Sequence, residues 1–355
     1  MFSGGASQFA LAADAGTLVY NHRIWGDEEA SERTLIEVAL DGTEVSSLNF
    51  VPGRLEAPRY SPDGRRIACE DGDEIRIYDV ASGASPQLTD GGGRYPVWSP
   101  RGDMLYFTSG VVGGAEAGAS RRKADSSEPS EALVGDGVRA YLRAVVAGSG
   151  GDSLLILRQN IAGAVGRDLL LARLGPEGSV PEGGVVAEPY LTAQWDEWQA
   201  EVSPDGRYVA YMSNQEGQNR VYVQDFPVPG GQRAVSPGLG ADPRWAPDGR
   251  SIFYRSGTTF LQVDVRLEPT FSVGSPRELF VAPRYVAGIG TSVVPNYDIH
   301  PDGDRFILTV GPEGGEAEAE VDIDVAIGRF GRLQDLYIVS DWLTELLEIT
   351  GGSAR

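Results

Sequence analysis

One four-residue motif recurs along the chain and constrains its fold more than any other feature. Ser-Pro-Asp-Gly, or a close variant, begins at residues 61, 99, 203, 246 and 300, and a β-rich run follows each copy. Proline presets φ at about −65°, aspartate accepts hydrogen bonds from nearby backbone N–H groups, and glycine supplies the positive φ that closes a tight turn. Each copy is therefore predicted to be a turn between two antiparallel strands, with a structural role for its aspartate.

The spacing of the motif predicts the architecture. Degenerate copies at residues 13–16 and 149–151 complete a set of seven, and the closing glycines stand at positions 16, 64, 102, 151, 206, 249 and 303. Periods of about 40–50 residues in a β-rich chain are typical of propeller blades, whereas helical solenoids need amphipathic helices. The sequence predicts an all-β fold, a β-propeller of four-stranded antiparallel blades. Seven blades are expected, with six as the alternative.

Each repeat unit also contains later runs of alternating polar and apolar residues, as half-buried antiparallel strands require. The predicted strands of this kind include Thr34–Leu40, Glu74–Val80, Arg220–Asp225, Phe260–Val265 and Arg277–Phe280. We expect residues 1–355 to form a single propeller domain. Its predicted blades span approximately residues 7–54, 55–92, 93–140, 141–192, 193–238, 239–290 and 291–348.

Charge limits the partners of the chain. Lys and Arg number 30 against 51 Asp and Glu, which gives a net charge of −21. Phosphate backbones and anionic lipid headgroups would repel such a protein, so neither nucleic acid nor a membrane surface is an expected partner. No apolar stretch has the length to span a membrane, and the first residues lack the features of a signal peptide. We expect a monomer with a protein or peptide partner.

The sequence carries no recognisable catalytic motif, so an enzyme is not predicted. It lacks the G-x-S-x-G elbow of serine hydrolases and the phosphate loop, catalytic loop and metal motif of kinases. Cys69 is interpreted as a small buried residue, His22 as a solvated one and His300 as part of a turn. These three residues provide no transition-metal cluster, and no cofactor is expected. A calcium site is not excluded by the sequence, since calcium prefers oxygen ligands and two acidic segments offer them: Asp71–Glu74 and Asp322–Asp324.

Two groups of residues are candidates for ligand or partner binding. The first combines aromatic and acidic side chains in the linker before the fifth blade: Trp195, Asp196, Glu197 and Trp198. Aromatic anchors beside charges are common at recognition surfaces, although both tryptophans could instead pack between blades. The second group occupies comparable places in first strands and could form a polar ring around the channel: Arg59, Arg94, Asp242 and Arg244.

Two segments carry a family resemblance. Trp198–Asn214, continued by Val221–Pro227, and Asn296–Gly303 with Arg305–Leu308 resemble the TolB-like, WD40-like (PD40) propeller found as the C-terminal region of many bacterial transmembrane serine/threonine protein kinases. Gly5–Leu11 and Ile338–Leu346 are also similar to that family, so the resemblance spans nearly the whole chain. In that family, residues upstream of residue 1 supply the outer strand of the last blade. A three-stranded last blade is therefore an alternative.

The resemblance implies recognition rather than chemistry. Such propellers are regarded as extracytoplasmic sensors or interaction surfaces, and the kinase motifs do not carry over. We therefore expect a non-catalytic scaffold that recognises a protein, a peptide or a small ligand. The alternatives are a detached regulatory propeller of a kinase or of a prolyl-oligopeptidase-type peptidase and, third, a hydrolase acting at the axial channel. A periplasmic location is implied if the chain is a fragment, and a cytoplasmic one if it is complete.

Overall fold

A computed structural model describes most of the chain. The described residues are 9–11, 17–21, 32–48, 52–110, 118–134, 140–148, 151–159, 167–175, 178–268, 270–285, 295–312 and 336–340. The regular elements among them are all β-strands. None of these residues lies in a helix with the length and hydropathy to cross a membrane. The chain divides into two compact units, residues 1–31 with 320–355 and residues 32–319, and a single domain over residues 1–355 stays a prediction.

The strands are short and follow one another closely. In chain order they are β1 (Phe9–Leu11), β2 (Thr17–Asn21), β3 (Thr34–Ala39), β4 (Glu44–Ser47), β5 (Leu55–Tyr60), β6 (Arg66–Asp71), β7 (Glu74–Asp79), β8 (Gly93–Trp98), β9 (Met104–Ser109), β10 (Gly118–Lys123), β11 (Glu131–Ala132), β12 (Ala140–Gly148), β13 (Gly151–Gln159), β14 (Arg167–Arg173), β15 (Ala187–Leu191), β16 (Glu197–Val202), β17 (Tyr208–Ser213), β18 (Arg220–Asp225), β19 (Arg233–Ala234), β20 (Ala241–Trp245), β21 (Ser251–Ser256), β22 (Thr259–Arg266), β23 (Ser272–Val273), β24 (Arg277–Val281), β25 (Tyr297–Ile299), β26 (Arg305–Val310) and β27 (Leu336–Ser340).

The larger unit is a β-propeller of antiparallel sheets. Four sheets run in chain order: β8 to β11, β12 to β15, β16 to β19, and β20 to β23 with β24 also on β22. A fifth joins both ends of the unit in the order β25-β26-β3-β4. In the smaller unit, β1, β2 and β27 form a three-stranded antiparallel sheet.

The number of complete blades differs from the prediction. Five sheets of the described residues have four or five strands, and not the seven, or alternatively six, that the repeat predicts. The β5–β7 sheet has three strands, and its fourth edge is reduced to a bridge between Arg76 and Gln87. Predicted blades 7–54 and 291–348 are each divided, because β3 and β4 pair with β26 while β1 and β2 join the sheet of β27.

The repeated motif forms the predicted turns. The N–H of Gly64 donates to the carbonyl of Ser61 at 2.8 Å, and φ at Gly64 is 69°. The four other full copies have the same bond at 2.8–2.9 Å and a glycine φ of 70°, 71°, 69° or 75°. In the last copy, Nδ1 of His300 accepts a bond from the N–H of Asp302 at 3.2 Å. His300 therefore has the turn role predicted for it.

Replacing Gly64 with alanine tests a contact between two of these turns. An added Cβ would overlap Nε2 of His300 and lie 2.9 Å from its Cε1. Gly72 has nearly the same φ, 68°, but open space around it, so Gly72→Ala is the matched control for backbone strain. We expect Gly64→Ala to lower the free energy of unfolding by about 1–3 kcal/mol more than Gly72→Ala. Equal urea midpoints for the two variants would contradict this.

Apolar residues fill the space between neighbouring sheets. Phe260 of β22 stacks on Phe280 at a centroid distance of 4.8 Å and meets Tyr297 of β25 edge-on at 5.1 Å. The single cysteine, Cys69, is fully buried in another such cluster, with Sγ 3.1 Å from the carbonyl oxygen of Glu56. Burial raises the pKa of its thiol well above the ordinary value, which agrees with its interpretation as a packing residue.

Candidate ligand-binding site

The first strands of the sheets carry a repeated irregularity that shapes the centre of the larger unit. In β5, β8, β16 and β20 the pairing with the next strand slips by a β-bulge. One residue in each bulge has a positive φ without being glycine: Ala57 at 51°, Tyr95 at 59°, Gln199 at 54° and Asp242 at 56°. Such a conformation costs about 1–2 kcal/mol for an L-residue, so the surroundings must stabilise it.

Side chains of the preceding sheet stabilise three of these bulges. The N–H of Ala57 donates to Oδ1 of Asn296, that of Tyr95 to Oε1 of Glu70, and that of Asp242 to Oε1 of Gln199, each at 2.8 Å. Because each bond joins one sheet to the next, the packing of neighbouring sheets stabilises these bulges. The bulges bend the first strands and re-aim the side chains that follow them.

A cavity opens where four of these first strands meet, with β12 contributing the side chain of Arg143. We call it the arginine cavity. Its enclosed volume is about 10 Å³, roughly the space of one water molecule, and it opens into a wider depression of about 270 Å³ that includes bulk solvent. The lining residues are Arg59, Tyr95, Pro96, Val97, Leu142, Arg143, Gln199, Ala200, Arg244 and Pro295. Three guanidinium groups in so small a space make it a candidate site for an anionic group.

Arg244 is buried, with 6% of its surface exposed. Its Nη1 lies 3.4 Å from Oε2 of Glu201, and its Nε lies 3.9 Å from Oδ1 of Asp298. Burial acts to lower its pKa, but the two carboxylates outweigh burial and raise it. Its Nε and Nη2 atoms are buried and make no hydrogen bond within the part of the chain that the structure describes.

Arg59 and Arg143 complete the cationic side of the cavity. Nη1 of Arg59 donates to the carbonyl oxygens of Pro58 and Tyr297, at 2.9 and 3.1 Å. Burial lowers the pKa of Arg59 to about 10, and the charges of Arg244 and Arg143 contribute to this. Arg143 is 6% exposed and lies over the ring of Tyr95, with Cζ 4.7 Å from the centroid. Asp298 and Glu201 oppose this lowering of the Arg59 pKa, so both charges of the cavity act on the same guanidinium group.

Two carboxylates share this region with the arginines. Oε2 of Glu201 accepts a bond from the N–H of Trp245 at 3.2 Å, and Oδ2 of Asp298 accepts one from the N–H of Tyr60 at 2.8 Å. Burial raises the pKa of Glu201 to about 7, while Arg244 opposes the shift. Both acids thus connect neighbouring sheets and also face Arg244.

The structure brings together some of the residues predicted as a polar ring. Arg59 and Arg244 line the same cavity. Asp242 is fully buried beside it, where it accepts hydrogen bonds from Gln199 and Arg255. Arg94 is engaged elsewhere: its Nη2 lies 2.5 Å from Oδ1 of Asp73, and its Nη1 lies 3.6 Å from Oε2 of Glu70.

The predicted aromatic and acidic segment does not line the cavity. Trp198 is buried, and its Nε1 lies 3.1 Å from Sδ of Met212, so it packs as the alternative interpretation states. Trp195 is 39% exposed. Glu197 is 3% exposed, and burial together with Asp168 and Asp196 raises its pKa to about 7. The N–H of Asp196 donates to Oδ1 of Asn214 at 3.0 Å. Binding by these residues stays a prediction.

The candidate calcium segments fall into two cases. Asp322–Asp324 lies outside the described residues. In Asp71–Glu74, Oδ2 of Asp71 lies 2.9 Å from Nε of Arg76, and Asp73 pairs with Arg94. A different group, His300 with Asp302 and Asp304, brings three atoms of metal-ligating type within 4.8 Å of one another. Both acids are exposed, and Nδ1 of His300 already accepts the hydrogen bond from the N–H of Asp302.

Arg143, Glu201 and Asp298 were not among the predicted site residues. For two of them the repeat contains the signal: Arg59, Glu201, Arg244 and Asp298 each stand two residues before the first residue of a turn motif. The same position in the repeat therefore supplies four of the charged side chains. Arg143 has no such signal, because the motif after β12 is degenerate.

Comparison with known proteins supports the fold. No family model matches the sequence, and no curated protein matches it. Among solved structures, the putative TolB from Agrobacterium tumefaciens is similar, with a TM-score of 0.59 at 15% identity over 79% of this chain and 98% of that one. Kuenenia stuttgartiensis hydrazine synthase has a TM-score of 0.53 at 13% identity over 87% of this chain and 96% of that one. These likenesses show a TolB-like β-propeller fold.

Proposed function

We propose that this chain is a non-catalytic recognition module, sensory or scaffolding in role, that binds a protein, a peptide or a small ligand in the arginine cavity. The observation that carries the proposal is Arg244, a buried cation with two nitrogen atoms that make no hydrogen bond within the described residues. A buried polar group without a partner costs about 1–3 kcal/mol, and more if charged. A ligand that accepts these bonds recovers that free energy.

The position of the cavity also supports binding. It lies among first strands whose backbone is fixed by hydrogen bonds between sheets, so the positions from which its side chains extend are set before any ligand arrives. Preorganised groups lose little conformational entropy on binding, which favours affinity. The groups present are guanidinium, carboxylate and amide, together with the apolar walls formed by Pro96, Leu142 and Pro295.

Ligand screening with two variants tests the proposal. Thermal-shift screening of small molecules and short peptides identifies ligands of the wild-type chain, and calorimetry measures their affinities. We expect Arg59→Gln to weaken binding by about 10- to 100-fold, the loss expected when a hydrogen bond to a charged group is removed. Arg65→Gln is the matched control, because Arg65 is an exposed residue of the turn after the same strand, and it should leave affinity unchanged.

Three results would contradict the proposal. The first is that no compound binds, and the second is that Arg59→Gln and Arg65→Gln bind equally well. The third is chemical conversion of a bound compound, followed by mass spectrometry after incubation, which would identify an enzyme instead. Recovery of the bound compound unchanged, with affinity lost in Arg59→Gln, supports a recognition module.

A further inference from the structure

Resting on the proposed function, we infer that the arginine cavity is specific for a carboxylate group, carried by a small organic acid or by the C-terminus of a peptide. Arg59, Arg143 and Arg244 face it from three different strands. Guanidinium groups present paired N–H donors in a plane, and this geometry matches the two oxygens of a carboxylate. Nη2 and Nε of Arg244 are such a pair, and both are without a hydrogen bond in the described residues.

Charge balance favours a monoanion over a dianion. Three guanidinium groups face the two carboxylates Glu201 and Asp298, which leaves one positive charge in excess. Glu70 lies near Arg143, but its pKa of about 8 leaves it mostly protonated at neutral pH, so it adds little negative charge. One carboxylate therefore neutralises the site. A doubly charged phosphate would leave an excess negative charge beside two acids, in a region where burial strengthens repulsion.

Apolar side chains at the opening can contact the carbon skeleton of an acid whose carboxylate reaches the arginines. Pro96, Val97, Leu142, Ala200 and Pro295 provide apolar surface beside the arginines. Because part of the cavity is continuous with solvent, a chain attached to the carboxylate can extend outward. The net charge of −21 repels anions from the surface as a whole, so the arginines concentrate positive potential at this one place.

Calorimetry with matched probes tests the inference on the full chain. The probes are N-acetylglycine, its neutral amide N-acetylglycinamide, inorganic phosphate, and an acetylated tetra-alanine peptide with a free or an amidated C-terminus. We expect the free carboxylates to bind about 10- to 100-fold more tightly than their amides, and phosphate to bind more weakly than N-acetylglycine. Tighter binding of the free peptide than of N-acetylglycine identifies a chain end as the source of the carboxylate, and equal binding identifies a small acid.

Variants locate the binding. Arg244→Gln should remove most of the preference for carboxylate over amide, whereas Arg250→Gln, an exposed residue in the turn after the same strand, should retain it. Because Arg244→Gln leaves Glu201 and Asp298 without their cation, Arg59→Gln serves as a second variant if the first fails to fold. Equal affinities for acid and amide, or tighter binding of phosphate, would overturn the inference.

A pH series adds a readout that a merely structural role would not change. Arg244, Arg59 and Asp298 face Glu201, whose pKa burial raises to about 7. Protonation of Glu201 adds to the positive excess, so N-acetylglycine should bind more tightly at about pH 6 than at about pH 8, and Glu201→Gln should remove that difference. If screening finds a neutral or cationic ligand whose binding is weakened by Arg59→Gln, while none of the carboxylate probes binds, this inference is wrong and the proposed function is still supported. If nothing binds, both fall.

Discussion

Replacing Asp242 with alanine is expected to lower the free energy of unfolding by about 3–5 kcal/mol, because it removes the carboxylate that pairs with a buried cation. Asp242 is fully buried and accepts hydrogen bonds from Gln199 and from Arg255, which is itself 8% exposed. The hydroxyl of Tyr285 lies 3.4 Å from the same carboxylate. The residue also occupies a φ of 56°, which alanine adopts less readily than aspartate. Urea unfolding followed by tryptophan fluorescence measures the change.

Two further variants separate the causes. Asp248→Ala removes an exposed aspartate that accepts a bond from the N–H of Arg250, and we expect a change of no more than about 0.5 kcal/mol. Asp242→Asn keeps an acceptor oxygen and a side chain that tolerates positive φ, so its loss measures the contribution of charge. Similar losses for Asp242→Ala and Asp248→Ala would show that the buried carboxylate does not stabilise the propeller.

Glu70 is expected to make the protein less stable as pH rises. Burial, with the neighbouring charge of Glu56, raises its pKa to about 8, from 4.5 in an exposed chain. Between these pH values the folded state retains a proton that the unfolded chain has released, so the free energy of unfolding falls as pH increases. At about 1.4 kcal/mol per pKa unit, the upper limit of this loss is about 5 kcal/mol. The variant Glu70→Gln should not show it.

The measurement is urea unfolding at several pH values between about 4.5 and 9, with wild type and variant compared at each. Glutamine retains an oxygen that can accept the bond from the N–H of Tyr95, which Glu70 accepts at 2.8 Å. Glu182→Gln, which removes a charge from an exposed loop, should follow the wild-type curve. A Glu70→Gln curve that also runs parallel to wild type would contradict the assignment.

Local sequence predicted the features that local chemistry determines. The Ser-Pro-Asp-Gly turns form as expected, because each is closed by bonds within six consecutive residues. Strand boundaries agree closely as well: Arg220–Asp225 is strand β18 as predicted, and Glu74–Val80 corresponds to β7, which ends at Asp79. The seven-blade prediction was wrong for the described residues, since counting motifs cannot reveal which strands pair across the ends of the unit.

The site could not be predicted to the same extent. The residue types at the bulges do not indicate a positive φ: Ala57, Tyr95, Gln199 and Asp242. The N–H groups of three of them donate to side chains that are distant in sequence. Asn296, for example, is 239 residues from Ala57. The sequence did identify Arg59 and Arg244 by their place in the repeat. It did not identify Glu201 and Asp298. These acids occupy the repeat position that carries arginine in other copies, and only the folded structure shows that they lie beside Arg244.

The sheet that joins both ends of the larger unit cannot form until most of the chain has been synthesised, because β3 pairs with β26. Nε of Arg305 lies 3.2 Å from Oε1 of Glu37, across 268 residues of sequence. At about 5–20 residues per second, a ribosome needs roughly 10–50 s to extend the chain from one to the other. Throughout that interval the edge of β3 that β26 will cover lacks this strand. Exposed strand edges pair readily with other chains, so we expect the risk of self-association through this edge to be greatest in the nascent protein and to end when β26 pairs with β3.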